Sequence, residues 1–521
     1  MRKKVLLLYP STSPDNPNGD TEFMEGINSI PFGILSIASQ IGREGFDVKI
    51  IDCRLYPKKT IMNEIEKNLD NYFCVGLSCT TPQVSHGLML TDFIKRLKPK
   101  MPIVWGGIHT TLFPKQTIVH KNIDYVIYGE GDLSFPKLLK NILENKPQLK
   151  EIGGLAYKRN GKIFVNKPVK PCDINELAPP DYDMMDIDKY IDRDYVTHSG
   201  GIRKIRALDI NTSRGCPYLC TFCINCIPSL KKWRPVETKE TLRRIDYLIK
   251  NYNLNHLHFS DDFFFGDTKR VKKIAEHLTK KKYNITWEAQ IRANLFKENL
   301  VNDSFLKLIK KSGCYCLAMG FESGSNRILN KIKKYITTEQ IINSVMQCKK
   351  HGILTKGYFM CGFPTETKEE LMQTANLILK LKKIQPEGIF YSPSLLRPYP
   401  GAELYQECVE RGFDEPKKLE DWAAKKVQIG SMTTPEDLPW LEDPKFVINF
   451  QVYLHILIVY ISHRLTNKKL NIIWAITGRM AQFRFRHNFW SFSIDAKILL
   501  FMRVFLQKGN IITRFIKRII R

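Results

Sequence analysis

A strand–helix alternation that runs twice along the chain limits its fold more than any other feature. Over residues 1–145, short runs rich in β-branched residues (Lys4–Tyr9, Asp47–Ile51, Phe73–Ser78, Pro102–Trp105 and Asp124–Tyr128) alternate with helical stretches such as Gly33–Glu44 and Val84–Leu97. Residues 206–420 repeat the pattern, with strand candidates at Ala207–Thr212, His256–Ser260, Thr286–Gln290, Cys316–Gly320, Leu354–Met360 and Gly388–Pro393. A strand reaches a parallel neighbour only through a crossover, usually a helix, so such alternation builds parallel sheets. The expected fold is α/β: a doubly wound N-terminal domain, a partial (β/α)6 barrel over 206–420, and a helical, basic region over 421–521. Residues 146–205 read as a connector. It holds a hairpin (Gly154–Tyr157 and Lys162–Val165 around Asn160-Gly161) and then Pro- and Asp-rich sequence over Leu177–Asp188. A chain of 521 residues exceeds what one core usually supports, in agreement with this division.

In doubly wound sheets the ligand lies beyond the carboxyl ends of the strands. Three such ends carry small or hydroxyl residues: Ser78-Cys79-Thr80-Thr81, Gly106-Gly107-Ile108-His109 and Gly129-Glu130-Gly131. They point to a nucleotide or a larger phosphate-bearing cofactor. The net charge of +27 asks for an anionic partner. Nearly half of it is local, because from Arg464 onward 13 Lys and Arg stand against one acid, Asp495. No nucleic-acid partner is therefore expected. Thirteen cysteines are too sparse for a disulfide scaffold, and the start MRKKVLLLYP reads as a strand, not a signal peptide. A reducing, cytoplasmic setting follows as the expectation. The uncharged stretch Phe446–His463 contains Asn449, Gln451, His455 and His463, so a buried or surface helix is expected there rather than a membrane span.

The sharpest local feature is Arg214-Gly-Cys-Pro-Tyr-Leu-Cys-Thr-Phe-Cys223, three cysteines at C-x3-C-x2-C directly after a strand. Zinc would take a fourth ligand, for which Cys226 is available, giving a non-enzymatic corrinoid- or zinc-binding module. An iron–sulfur cube held by three cysteines instead leaves one iron open to a small molecule. With Phe222 before the last cysteine, the motif resembles the radical S-adenosylmethionine (SAM) superfamily. Phe259-Ser-Asp-Asp-Phe263, Glu288-Ala-Gln-Ile-Arg292, Gly320-Phe-Glu-Ser-Gly-Ser325 and Gly362-Phe-Pro-Thr-Glu-Thr367 follow in the order of that family's SAM-contacting strands. The first half resembles the Rossmann-like cobalamin-binding domain of one large subgroup, through Pro31-Phe-Gly33 and the three loops above. It departs from cobalamin domains that ligate cobalt by histidine, because D-x-H-x-x-G is missing after the first strand.

The resemblance implies three cofactors: a [4Fe–4S] cluster on Cys216, Cys220 and Cys223, SAM on its open iron, and cobalamin without that histidine. It also implies an external electron donor of flavodoxin or ferredoxin type. Asp261 and Asp262 offer acceptors for the SAM ammonium, or an N-cap for the next helix. Glu322 offers acceptors for the ribose hydroxyls. Arg292 would pair with the SAM carboxylate or form a structural ion pair. Ser78, Thr80 and Thr81 would face the dimethylbenzimidazole tail, and Gly106, Gly107 and Gly129 allow close backbone approach. His109 is either a hydrogen-bonding loop residue or a cobalt ligand; Glu130 is either a ligand contact or a helix-start charge. The expected activity is methylation of an unactivated carbon of a small-molecule or lipid-like substrate. The alternative is a radical cyclase or oxidoreductase of the anaerobic magnesium-protoporphyrin ester cyclase type. Ile511, Ile512, Phe515, Ile516, Ile519 and Ile520 fall on one helical face opposite Arg514, Lys517, Arg518 and Arg521. That basic amphipathic pattern suits peripheral contact with anionic lipid, or packing against residues 446–490.

Overall fold

The computed structural model describes residues 4–12, 29–144, 148–196, 202–226, 230–424, 435–465 and 472–490. The first sheet contains β1 (Lys4–Tyr9), β2 (Asp47–Asp52), β3 (Tyr72–Ser78), β4 (Ile103–Gly106), β5 (Tyr125–Ile127), β6 (Leu155–Arg159) and β7 (Lys162–Val165). Their spatial order is β2-β1-β3-β4-β5-β6-β7. The first five run parallel, and the hairpin pairs antiparallel with β5, so it belongs to this sheet rather than lying apart from it. The apolar run of β1 is explained by helices on both faces. Val5 and Leu7 enter one core, while Leu6 and Leu8 enter the other, as alternation along a strand requires.

The second sheet adds β8 (Asp192–Val196), β9 (Ile202–Ile210), β12 (His256–Phe259), β13 (Thr286–Gln290), β14 (Cys314–Glu322), β15 (Leu354–Cys361) and β16 (Ile389–Phe390). Six strands, β9, β12, β13, β14, β15 and β16, run parallel in sequence order, while β8 flanks β9 antiparallel. This is the expected partial barrel. A two-residue ladder, β10 (Ser213–Arg214) with β11 (Arg234–Pro235), sits at its mouth, and β17 (Ser394–Leu395) adds to β15. One continuous core joins a face of the first sheet to the barrel and its helices.

The C-terminal region closes on both units. Leu419 and Trp422, on the helix Leu419–Ala424, join the second core of the first domain, where Trp422 Nε1 donates to Gln116 Oε1 (2.7 Å). Pro444–Leu465 is long and apolar enough to cross a membrane by length and composition. Most of it is buried, however, and Phe446, Phe450 and Leu454 lie in the main core. That agrees with a packed helix. The amphipathic segment at residues 511–521 lies outside the described residues.

Candidate active site

The cysteine loop is shaped by its backbone. Gly215 adopts φ +82°, and a Cβ there would lie 2.5 Å from Lys232 O and 2.6 Å from Leu230 O, so no other residue fits without rebuilding the loop. Cys216 N donates to Leu230 O (3.0 Å) and Cys223 N to Cys220 O (3.0 Å). These bonds turn Cys216, Cys220 and Cys223 into a cavity of about 320 Å³ at the barrel mouth. Burial pushes the Cys223 thiol up to about 11 and raises that of Cys216. Cationic iron would overcome this, since metal binding releases the thiol proton. Among the described residues no three His, Cys, Asp or Glu side chains converge on a single ion. Cys216, Cys220 and Cys223 line one cavity, the donor set that a four-iron cube with one open iron takes. The side chain of Cys226 lies outside the described residues.

The same cavity gathers Tyr218, Phe222, Asp262, Gln290, Arg292, Gly320, Glu322, Lys334 and Tyr358. The Arg292 guanidinium lies over Tyr218, its Cζ 3.6 Å from the ring centroid, and donates to Lys334 O. Its Nη1 is 3.8 Å from Cys220 Sγ, and its Nε is buried without a partner. A guanidinium held this way has donor capacity left for an anion. Glu322 sits in the left-handed region (φ +63°) and pairs with Lys334 Nζ at 2.7 Å. Strain of that kind is retained only where the surroundings fix it. One inward position lower, Asp209, His258, Glu288 and Lys356 form a charged ladder: His258 Nδ1 to Asp209 at 2.7 Å, Lys356 Nζ to Glu288 at 2.8 Å. Burial raises the Glu288 carboxyl, but Lys356 and His258 outweigh it and bring the group to about 2.

The two neighbouring aspartates part company. Asp261 is fully buried and turned away from the cavity, accepting from Thr212 N (3.0 Å), Thr212 Oγ1 (2.9 Å) and Ser213 Oγ. Burial raises its carboxyl to about 6. The expectation that both contact SAM is corrected for Asp261: consecutive side chains leaving β12 diverge, and only Asp262 faces the cavity. Burial raises the Asp262 carboxyl as well, against hydrogen bonds from Asn225 and the Gly215 backbone.

A second cavity, of about 330 Å³, opens at the carboxyl ends of the first sheet and runs to the barrel mouth. Ser78, Gly106, Gly107, Gly129 and Glu130 line it, as do Arg214, Gly215 and again Asp262. A side chain on Gly107 (φ +97°) would meet Cys79 O at 2.6 Å. Thr80, Thr81 and His109 do not line this cavity. Thr80 Oγ1 donates to Gln83 Oε1 (2.9 Å), and Thr81 Oγ1 lies 3.2 Å from His109 Nδ1. His109 is fully buried against Phe113 and Trp422, and burial pushes its imidazole down to about 3. Of the two readings of His109, the structure shows the hydrogen-bonding one, and its ring does not reach the first-domain cavity. The Gly107 turn starts the helix Ile108–Leu112, which carries the ring into the core on the other side of the loop.

The cavities also bring in Lys334, Tyr218, Tyr358 and Arg214, to which the sequence assigns no role. Tyr218 and Arg214 lie in and beside the cysteine motif, where proximity was a signal. Lys334 is one of several lysines in Lys331-Ile-Lys-Lys334, with nothing to single it out.

Comparison with known proteins fits this geometry. The Radical SAM superfamily profile matches residues 210–378, and the B12 binding domain profile matches residues 27–139. An uncharacterized methyltransferase of Pyrococcus horikoshii is 32% identical over 412 residues, covering 78% of this chain and 83% of that protein. The anaerobic magnesium-protoporphyrin IX monomethyl ester cyclase of Rubrivivax gelatinosus is 24% identical, over 65% of this chain and 58% of that protein. The radical SAM methyltransferase TsrM from Kitasatospora setae, solved with cobalamin and a [4Fe–4S] cluster, shares the fold with a TM-score of 0.64 and 17% identity. That match covers 94% of this chain and 100% of TsrM. The chain belongs to the cobalamin-binding radical SAM proteins. Its cofactors are a [4Fe–4S] cluster, SAM and cobalamin, which sets aside the zinc-module alternative.

Proposed function

We propose that the chain is a methyltransferase that acts on an unactivated carbon of a small-molecule or lipid-like substrate. One observation carries this reading: the cysteine-lined cavity and the cavity of the first domain share Asp262 as a wall, so a substrate at their junction faces both. When bound, the cluster with SAM supplies a hydrogen-abstracting radical and the corrinoid supplies a methyl group. The chain's own residues would do the rest. Cys216, Cys220 and Cys223 hold the cluster, with Phe222 against its loop. Arg292, held over Tyr218, pairs with the SAM carboxylate. Asp262 accepts from the SAM ammonium, and the Glu322 oxygen not taken by Lys334 accepts from the ribose. Ser78, Gly106, Gly107, Gly129 and Glu130 line the corrinoid cavity. Apolar walls such as Leu7, Ile37, Val104 and Phe135 exclude water from that side, which protects a radical.

The test is anaerobic reconstitution of the full chain with SAM, reductant and substrate, followed by product analysis. Formation of both 5′-deoxyadenosine and S-adenosylhomocysteine, with a product one CH2 heavier, is expected. 5′-Deoxyadenosine alone, with an unmethylated but altered product, would favour the radical cyclase reading, which the cyclase relative supports. An external flavodoxin- or ferredoxin-type donor completes the proposal. We also propose peripheral contact with anionic lipid through the C-terminal region. Ile476, Met480 and Phe483 form an exposed stripe on the helix Ile472–His487, with Arg479 and Arg486 also exposed.

A further inference from the structure

Two arginines and two carboxylates meet where the first domain touches the cysteine loop. Arg214 and Arg234 stand opposite each other in the β10–β11 ladder. Both reach the turn after β5. Arg214 grips Asp132 with both guanidinium arms, Nη1 to Oδ2 at 3.0 Å and Nη2 to Oδ1 at 3.1 Å. Its Nη2 also donates to Ser36 Oγ (2.6 Å), and that hydroxyl donates onward to Asp132 Oδ1 (2.6 Å). Arg234 grips Glu130 in the same two-armed way, with Nη1 3.0 Å from Oε2 and Nη2 on Oε1. Its Nη1 also holds Cys172 O at 2.8 Å, which ties in the connector. Asp132 and Arg234 are buried, and Arg214 Nη1 lies 3.7 Å from Glu130.

The placement is what gives this network a role. Arg214 is two residues before Cys216, and Gly215 between them has no conformational slack. Glu130 and Asp132 bracket Gly131 in the turn whose Gly129 lines the first-domain cavity. Each arginine therefore couples a cluster-side backbone to a corrinoid-side backbone through two parallel hydrogen bonds, which fix orientation as well as distance. A lysine would conserve the charge and lose the fork.

Building on the two-cofactor reading above, we propose that Arg214, Arg234, Glu130 and Asp132 are positioning residues that set the separation and tilt between the corrinoid and the cluster. The experiment uses the full chain, anaerobically loaded with iron, sulfide and cobalamin and reduced with dithionite. The readout is the magnetic coupling between the Co(II) corrinoid and the reduced cluster, recorded by electron paramagnetic resonance for wild type, Arg214→Lys and Asp132→Asn. Asp132→Asn acts from the other domain and lies outside the cysteine loop, so it separates positioning from cluster assembly. We expect both variants to load iron and corrinoid as wild type does and to lose the single, well-defined coupling in favour of a broad distribution. The turnover number should fall about 100-fold, the scale of an ångström of misplacement, with the KM for SAM changed only a few-fold. Wild-type coupling in both loaded variants would overturn the proposal. So would loss of iron loading in Arg214→Lys with unchanged coupling in Asp132→Asn, because Arg214 would then belong to cluster assembly. Wild-type protein that loads both cofactors without coupled spins would instead refute the two-cofactor geometry itself.

Discussion

Gly320 tests the proposed SAM side of the site, because the space beside it is already filled by the Glu322–Lys334 pair. A Cβ at this position would lie 2.8 Å from Lys334 Nζ and closer still to Glu322 Oε1. Ordinary contact begins near 3.4 Å, so in Gly320→Ala the buried ammonium–carboxylate pair must move by roughly an ångström. The backbone at Gly320 lies within β14 and is not in the left-handed region, so alanine adds no dihedral strain. The fold should therefore tolerate the change, with overpacking of about 1–3 kcal/mol partly offset by the lower entropy of the unfolded chain. SAM cleavage should not tolerate it. Displacing Glu322 by about an ångström costs on the order of 100-fold, or ~2.7 kcal/mol of transition-state stabilisation. The assay is 5′-deoxyadenosine formation by loaded protein with dithionite over a range of SAM concentrations. A Gly320→Ala protein that melts like wild type and cleaves SAM with wild-type kcat/KM would refute the placement of Glu322 and Lys334 at SAM.

Three further outcomes follow from the same geometry. Asp262→Asn should lose SAM binding by about tenfold or more, whereas Asp261→Asn should keep it, because Asp261 Oδ1 only braces the Thr212-Ser213 turn; equilibrium SAM titration separates the two. His109, at about 3 in the fold against 6.5 when free, binds fewer protons folded than unfolded between those values. Stability tied to it is therefore complete above pH 6.5 and falls by about 1.4 kcal/mol per unit as pH drops toward 3. Denaturant titrations of His109→Gln should show a shallower acid limb, while the cobalt spectrum of the loaded protein stays that of wild type; a changed spectrum would return His109 to the corrin. Replacing Ile476, Met480 and Phe483 with serine should release the protein from anionic liposomes in co-sedimentation, and unchanged binding would remove the described helix from the lipid contact.

The strand–helix alternation and the cofactor class were legible because each depends on local pattern: alternation, loop composition and short spacing. Direction was not legible. Asp261 and Asp262 are adjacent, yet only dihedral angles decide which one turns inward. His109 sits in a loop that lines the first-domain cavity at Gly106 and Gly107, yet the positive φ of Gly107 sends the ring into the core instead. Long-range pairing was equally hidden. Arg214 and Asp132 are separated by 82 residues, and nothing in either segment names the other. The strand expected at Gly388–Pro393 is only Ile389–Phe390, because few ladder bonds remain at the open edge of the barrel.

Methyl transfer at the junction of the two cavities is tested most directly with SAM carrying a deuterated methyl group. The full chain, loaded with cluster and cobalamin, would be turned over anaerobically with the small-molecule extract of the cells that make it, and the products followed by mass spectrometry. The proposed function predicts one compound that gains an intact CD3 group, accompanied by both 5′-deoxyadenosine and S-adenosylhomocysteine. Accumulation of 5′-deoxyadenosine with substrate consumed, no label in any product and no S-adenosylhomocysteine would contradict it.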